Sequence, residues 1–224
     1  VRRVAQIDLS AFSRNLRALL ARDEDLVLDA RADAFGHSAA LIVPAAMAAG
    51  VSTIRVSPNH TEIPGIARSA LMTVPSRRRL VGAQAYGLDE SGTLTPVMTL
   101  IGEVISVKAV EAGAGVSYGY SYRTSDATTL ALVALGYADG IPRLASNLAS
   151  VFVGGATHPL VGRVAMDQFV VECGSSAPTV GDEAVLFGVA ESGHPLASEW
   201  AAQTRRSALE LTANLGSRVE RVAV

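Results

Sequence analysis

Lysine and cysteine are almost missing from this chain. Of its 19 basic residues 18 are arginine, and Lys108 is the one lysine among 224 residues. Chemistry that needs a side-chain primary amine, such as a Schiff base, must use Lys108 or do without. Cys173 is the single cysteine, which excludes an intramolecular disulfide framework and fits a reducing compartment. No stretch approaches the ~20 uninterrupted apolar residues of a membrane-spanning helix. The N-terminal VRRVAQIDLS lacks the apolar run of a signal peptide. A formal charge of -2, with 18% charged residues, gives no electrostatic reason to expect nucleic acid or a membrane surface as partner. These absences point to a soluble, cytoplasmic chain, long enough for one large domain or two modest ones.

What is present falls into two textures. Three short apolar runs, VAQIDL (4–9), LVLDARA (26–32) and STIRVS (52–57), alternate with the helical patterns FSRNLRALLAR and SAALIVPAAMAAG. Strands alternating with helices predict parallel βαβ units. Asp8 and Ser10 offer N-capping oxygens at the first junction, and Gly50 is placed to end the second helix. A weaker helix is expected over 62–72, broken early by Pro64, and LVGAQAYGL (80–88) reads as a further strand. After DESGTLTP the helices stop. VMTLIGEVISVKAV, TLALVALGYADG, ASVFVGG, FVVECG and EAVLFG follow one another between glycine, proline and serine clusters, which predicts a β-barrel or sandwich. The final segment reads as a helix, a cap at Gly216 and a closing strand. The expected organisation is an α/β domain over 1–93 and an all-β domain over 94–224.

The blocks AQIDLSAFSRNL, ARADAFGHS, GAQAYGLDESGTLTPVMTL, VSYGYSY, LGYADGIPR, VGRVAMDQFVVE, VGDEAVLFG and NLGSRVERV, in this order, resemble bacterial alanine racemases. The resemblance covers 1–57 and 80–224 and is poor between them. It implies a (β/α) barrel followed by a C-terminal β-barrel-like domain, a homodimer, and a place in D-alanine metabolism. It also implies pyridoxal phosphate as cofactor. In that family a lysine at a barrel strand end holds the cofactor as a Schiff base. A tyrosine from the partner subunit works the opposite face of the substrate Cα, an arginine bonds the pyridine nitrogen, and tyrosines and backbone amides hold the phosphate.

Carried over position by position, the resemblance meets substitutions at its polar points. The lysine position is Arg31. The phosphate-side tyrosine four residues on is Phe35, the pyridine-facing arginine is Leu80 (Arg79 is its neighbour), and the tyrosine before Glu210 is Leu209. Tyr137 stands at the second catalytic position. Gly82 and Ala83 stand where backbone amides face the phosphate, and Met166 and Asp167 where the chain touches the substrate carboxylate.

A guanidinium stays charged to a pKa above ~12 and has delocalised its lone pairs, so it is neither an imine-forming nucleophile nor a useful base. Lys108 falls in the β domain and is not expected to reach the site. Phe35 in place of the tyrosine that the resemblance implies costs one hydrogen bond, on the order of 1 kcal/mol. Four polar positions turned apolar or inert, beside glycines and packing residues that persist, describe a cofactor site out of use. The leading expectation is therefore an alanine racemase homologue that has lost catalysis, with pyridoxal phosphate absent or noncovalent and a small-molecule ligand or a protein partner in its place. Two alternatives stay open: an active racemase or isomerase that holds the cofactor noncovalently and works through Tyr137, and a structural or interaction subunit. No metal is expected. His37 is read as stabilising its own loop, while His60, His158 and His194 fall in loop-like contexts without ligand spacing. Cys173 reads as a small buried residue, and Ser117 has no His/Asp constellation.

A complete (β/α)8 barrel takes ~250 residues, far more than the 93 that precede the β domain here. Either the barrel is shortened, with its strands one, two, three and eight forming an open sheet in the order 8-1-2-3, or a central segment is missing from the sequence. The shortened form exposes sheet edges that a partner must cover.

Overall fold

The computed structural model describes residues 1–58, 62–74, 77–89 and 93–224; His60 lies outside them. The chain divides into two compact units. One comprises Gln6–Met98, Thr212–Asn214 and Arg221–Val224; the other Val1–Ala5, Thr99–Leu211 and Leu215–Glu220.

In the first unit β1 (Arg3–Ile7), which begins in the other unit, leads into α1 (Leu9–Leu20). Asp8 caps α1, its Oδ1 accepting from the Ala11 N–H at 2.8 Å; Ser10 is already inside the helix. Phe12, Leu16 and Leu19 recur at helical spacing and are buried. Asn15 shares that buried face. Its Nδ2 donates to the carbonyls of Ala85 and Thr95 at 3.2 and 2.8 Å, and its Oδ1 accepts from Thr95 N–H at 3.1 Å. Thus one amide satisfies a loop that would otherwise bury unpaired backbone.

β2 (Val27–Asp29) is followed by α2 (Arg31–Phe35), then α3 (Ala39–Ala48), β3 (Ile54–Arg55), β4 (Leu71–Met72) and β5 (Leu80–Val81). The four strands after β1 form a parallel sheet in the order β4-β3-β2-β5, with Leu28 beside both Ile54 and Val81. The α/β expectation holds, but the order 8-1-2-3 does not. VAQIDL leaves the parallel sheet and runs between the strands Met98–Val110 and Glu220–Ala223 in strand order, while 80–81 pairs directly with β2. Arg3 explains the placement within its own unit, donating from Nε to the Ala134 carbonyl at 2.8 Å.

Two further expectations are corrected. Residues 62–72 form no α-helix: Pro64 and Gly65, the latter at φ +77°, make a turn closed by Ile66 N–H to Ile63 O at 3.1 Å, as a proline followed by a left-handed glycine favours. LVGAQAYGL is a strand for only two residues. From Gly82 the chain coils through Ala85 N–H to Gly82 O and Tyr86 N–H to Ala83 O.

The second unit is a closed antiparallel barrel. Its strands are β6 (Met98–Val110), β9 (Thr128–Val133), β10 (Ser150–Val153), β11 (Ala156–Val161), β12 (Phe169–Gly174) and β13 (Glu183–Phe187), in the order β13-β10-β11-β12-β9-β6 with β13 returning to β6. A small ribbon of β7 (Gly115–Val116) and β8 (Tyr122–Arg123) accompanies it. Closure removes the free edges that an open sheet would expose. His158 lies in β11 rather than a loop, and Cys173 lies inside β12 with its thiol pushed up to about 11 by burial.

The terminal helix is two helices, α4 (Ala197–Thr204) and α5 (Ala208–Ala213), followed by β14 (Glu220–Ala223). Arg205 turns left-handed at φ +53°, and Ser207 Oγ accepts from Glu210 N–H at 3.1 Å, starting α5 afresh. Gly216 is not the left-handed cap; its N–H donates to the Asp139 carbonyl at 3.0 Å. Trp200 on α4 is buried and donates from Nε1 to the Ser150 carbonyl at 2.8 Å.

α2 winds the wrong way for L-residues. Ala32, Asp33, Ala34 and Phe35 have φ of +51°, +55°, +54° and +50°, a conformation costing roughly 1–2 kcal/mol per residue. Gly36 ends it at φ +80°, where a Cβ would stand 2.0 Å from the Thr212 carbonyl oxygen. Gly36→Ala is therefore expected to destabilise by more than about 3 kcal/mol, measured as a loss of urea midpoint or of recoverable folded protein.

Candidate functional site

The C-terminal ends of the parallel strands gather the first cluster. β2 delivers Asp29 and then Arg31, the left-handed turn delivers Phe35 and His37, and the coil after β5 delivers Gly82, Ala83 and Tyr86. Arg31 is held in a fork. Its Nε donates to Asp29 Oδ1 at 2.8 Å and its Nη2 to Oδ2 at 2.6 Å, while its backbone N–H reaches Oδ1 at 3.2 Å. Asp29 is buried and Arg31 half-exposed. These hydrogen bonds, first, and the carboxylate charge hold the guanidinium above its ordinary pKa. The cation is thus bound by its own strand and further than usual from losing its proton.

Phe35 packs edge-on to Tyr86, with ring centroids 5.7 Å apart. Tyr86 is fully buried, donates from its hydroxyl to the Asp29 main-chain carbonyl at 2.9 Å, and stacks on Phe12 at 5.6 Å. A Cβ on Gly82 would meet Asp29 Cβ and the Phe35 ring at 3.7 Å, so these residues share one small space. Asp33 caps the start of α3, accepting from Ala39 N–H at 2.7 Å. Leu80, 40% exposed, pairs with Val27 one residue before the cluster. Arg79 is outside the strand and donates to Gln84 at 3.5 Å.

His37 is fully buried. Its Nδ1 lies 3.0 Å from Ala34 O and 3.1 Å from Phe35 O, closing the turn that precedes it. Among the described residues its Nε2 has no hydrogen-bond partner, and its ring lies 4.7 Å from that of Tyr86.

A second cluster belongs to the barrel unit. Tyr137, 41% exposed, opens a 3-10 turn. Its N–H donates to Ala165 O at 3.0 Å and that of Ala138 to Met166 O at 2.9 Å, which sets Tyr137 beside the Met166–Asp167 segment. Asp139, fully buried, anchors the turn: its carboxylate accepts from Gly136 N–H at 2.8 Å and pairs with Arg218 at 2.9 Å and Arg3 at 3.5 Å. Arg218 also reaches Asp167 at 2.7 Å. Arg143 lies 5.8 Å over the Tyr137 ring. Leu209, on α5, offers no polar side-chain atom. Lys108 is an exposed residue of β6. Ser117 Oγ donates to Arg163 O at 2.8 Å, and no metal-holding group exists among the described residues.

The sequence reading missed Asp29, Tyr86 and Asp139. Asp29 had a legible signal, a lone acid closing an apolar strand two residues before an arginine. The roles of Tyr86 and Asp139 depend on partners 57 and 79 residues away, which no local pattern reveals.

Residues 97–223 match the family model described as alanine racemase, C-terminal domain. The chain belongs to the alanine racemase family. An alanine racemase from Thermobifida fusca is 46% identical over 173 residues, 73% of this chain and 46% of that protein. One from Streptomyces coelicolor is 49% identical over 151 residues, 64% of this chain and 39% of that protein. The chain thus spans less than half the length of these curated racemases. The solved alanine racemase of Streptomyces coelicolor A3(2) superposes with a TM-score of 0.88 at 28% identity, over 100% of this chain and 98% of that one. The Bartonella henselae enzyme, with covalently bound pyridoxal phosphate, shares the fold at a TM-score of 0.82 and 20% identity, over 100% of both chains.

A covalently held pyridoxal phosphate needs a side-chain primary amine, and the residues of this cluster supply none. Position 31 carries no amine, its guanidinium is committed to Asp29, and Phe35 brings a ring without a hydroxyl.

His37 gives this region a pH signature. Burial, chiefly, lowers its pKa from 6.5 to about 4. The unfolded chain therefore takes up the proton first as pH falls. The stability contribution is complete above about pH 6.5 and declines as pH drops toward 4. A difference of this size is worth ~3 kcal/mol. Urea titrations at the two ends of that window are expected to show the loss in the native protein and a smaller one in His37→Asn.

Proposed function

We propose that this chain is an alanine racemase homologue that has lost pyridoxal-phosphate catalysis. The observation that carries the reading is the Asp29–Arg31 fork, which occupies the position where the family's chemistry needs a free amine. Phe35, Leu80 and Leu209 support it, since each is unable to donate or accept a hydrogen bond through its side chain. Gly82, Ala83, Met166 and Asp167 then serve the backbone geometry of the old site rather than a bound cofactor. The work of the chain is binding, of a small molecule or of a protein partner, and it acts as a cytoplasmic homodimer. A surface cavity of about 370 Å³ in the barrel unit, with Arg143, Arg163 and Asn147 among its walls, is a place for such a ligand.

Tyr137 favours one rival. It is half-exposed and fixed beside Met166 and Asp167, so an active racemase with noncovalent cofactor keeps one of its two acid–base groups. Incubation with L-alanine and pyridoxal phosphate in deuterated water decides between them. The silenced site predicts no solvent deuterium at Cα, and no cofactor mass on the intact protein after borohydride reduction beyond what surface labelling at Lys108 and the N-terminus gives. Deuterium incorporation overturns it.

A further inference from the structure

Asp29 ends β2 with its side chain 5% exposed, and both of its carboxylate oxygens are used by Arg31. A carboxylate in so apolar a place is costly unless a cation satisfies it. The neighbours leave Arg31 as that cation. The Tyr86 hydroxyl is spent on the main-chain carbonyl of Asp29, not on its carboxylate. Asp29 Cβ and the Phe35 ring both lie 3.7 Å from where a Cβ on Gly82 would stand, so the groups nearest that side are carbon. Arg55, the cross-strand register partner of Asp29, makes no ion pair with it, and among the described residues its buried Nε has no hydrogen-bond partner.

A lysine at position 31 would meet the same carboxylate. Its Nζ falls at the point along the side chain where arginine has Cζ, between the two nitrogens that Asp29 now holds. A buried carboxylate at contact distance favours the protonated amine. We propose that Asp29, and not the arginine alone, governs the chemistry of position 31: it converts any cation placed there into a bound counter-ion, so that an amine introduced by Arg31→Lys remains an ammonium and does not condense with an aldehyde. The proposal rests on the reading of a silenced site and deepens it by naming the group that maintains the silence.

The chemistry of the test is explicit. A neutral amine attacks the aldehyde carbon with its lone pair, a C–N bond forms, and the carbonyl oxygen leaves as water with two hydrogens from nitrogen. Borohydride then delivers hydride to carbon while solvent supplies the proton on nitrogen. An ammonium has no lone pair to begin this sequence.

The full chain carrying Arg31→Lys, and the same chain carrying Asp29→Asn with Arg31→Lys, are treated with pyridoxal phosphate at about pH 8, reduced and mapped by peptide mass. Labelling of the peptide containing position 31 is expressed relative to exposed Lys108 in the same sample. The doubly substituted chain is expected to label at least roughly tenfold more at position 31 than the singly substituted one, as a pKa difference of one unit or more requires. Equal labelling in the two overturns the proposal, as does absence of labelling at position 31 in both while Lys108 reacts. Should the doubly substituted chain fail to fold, Asp29→Ser with Arg31→Lys makes the same comparison. Deuterium exchange in the unsubstituted protein tests the silenced site separately, so the two ideas fail by different results.

Discussion

A carboxylate buried at the end of a short parallel strand needs a cation, and at Asp29 that cation comes from two residues along the same chain. The pairing does several things at once. It neutralises the charge that Asp29 brings into an apolar sheet end, and it fixes the backbone leaving β2, because the Arg31 N–H also reaches Asp29. It leaves the main-chain carbonyl of Asp29 to the Tyr86 hydroxyl, which ties the β5 side of the sheet to β2. Tyr86 in turn supports Phe12, Phe35 and His37. Removing the cation would therefore disturb the chemistry and the packing of this region together.

The barrel unit is built on a comparable device with a different outcome. Asp139 is as deeply buried as Asp29, yet its partners, Arg3 and Arg218, come from the two ends of the chain. Here the ion pairs hold a tyrosine in a defined turn and leave it half-exposed, beside the Met166–Asp167 segment. In the first unit the buried carboxylate closes on a residue of its own strand end. In the barrel unit it braces a turn whose tyrosine stays 41% exposed.

Much of this was readable in the order of residues, for stated reasons. The family emerged from several ordered blocks, and the α/β and β textures from the switch of hydrophobic period after residue 96. Capping by Asp8 and the stop at Gly50 followed from local chemistry. The placement of β1 depends on a partner distant in sequence, whereas the other differences have local causes. β1 was assigned to the parallel sheet because its neighbours alternate strand and helix, but Arg3 is held by the carbonyl of Ala134. The two-residue strand at Leu80 was overextended because apolar runs do not announce where they begin to coil. The break between α4 and α5 has a local sign, the SALE sequence with serine three residues before glutamate. At the site, Arg31, Phe35, Leu80 and Leu209 stand plainly in the sequence, and Asp29 has a local sign two residues before Arg31, while the hydrogen bonds that join Asp29 to Arg31 and Tyr86 appear only in the fold.

The left-handed turn at Ala32–Phe35 bears on how such motifs are interpreted. Four non-glycine residues in that conformation, followed by a glycine pressed against the Thr212 carbonyl and a histidine sealed beneath, are demanded by the architecture of the segment. Exchanging one side chain in such a turn leaves those demands in force. The glycine and the histidine of this motif are thus required by backbone geometry, whatever side chain stands at position 31.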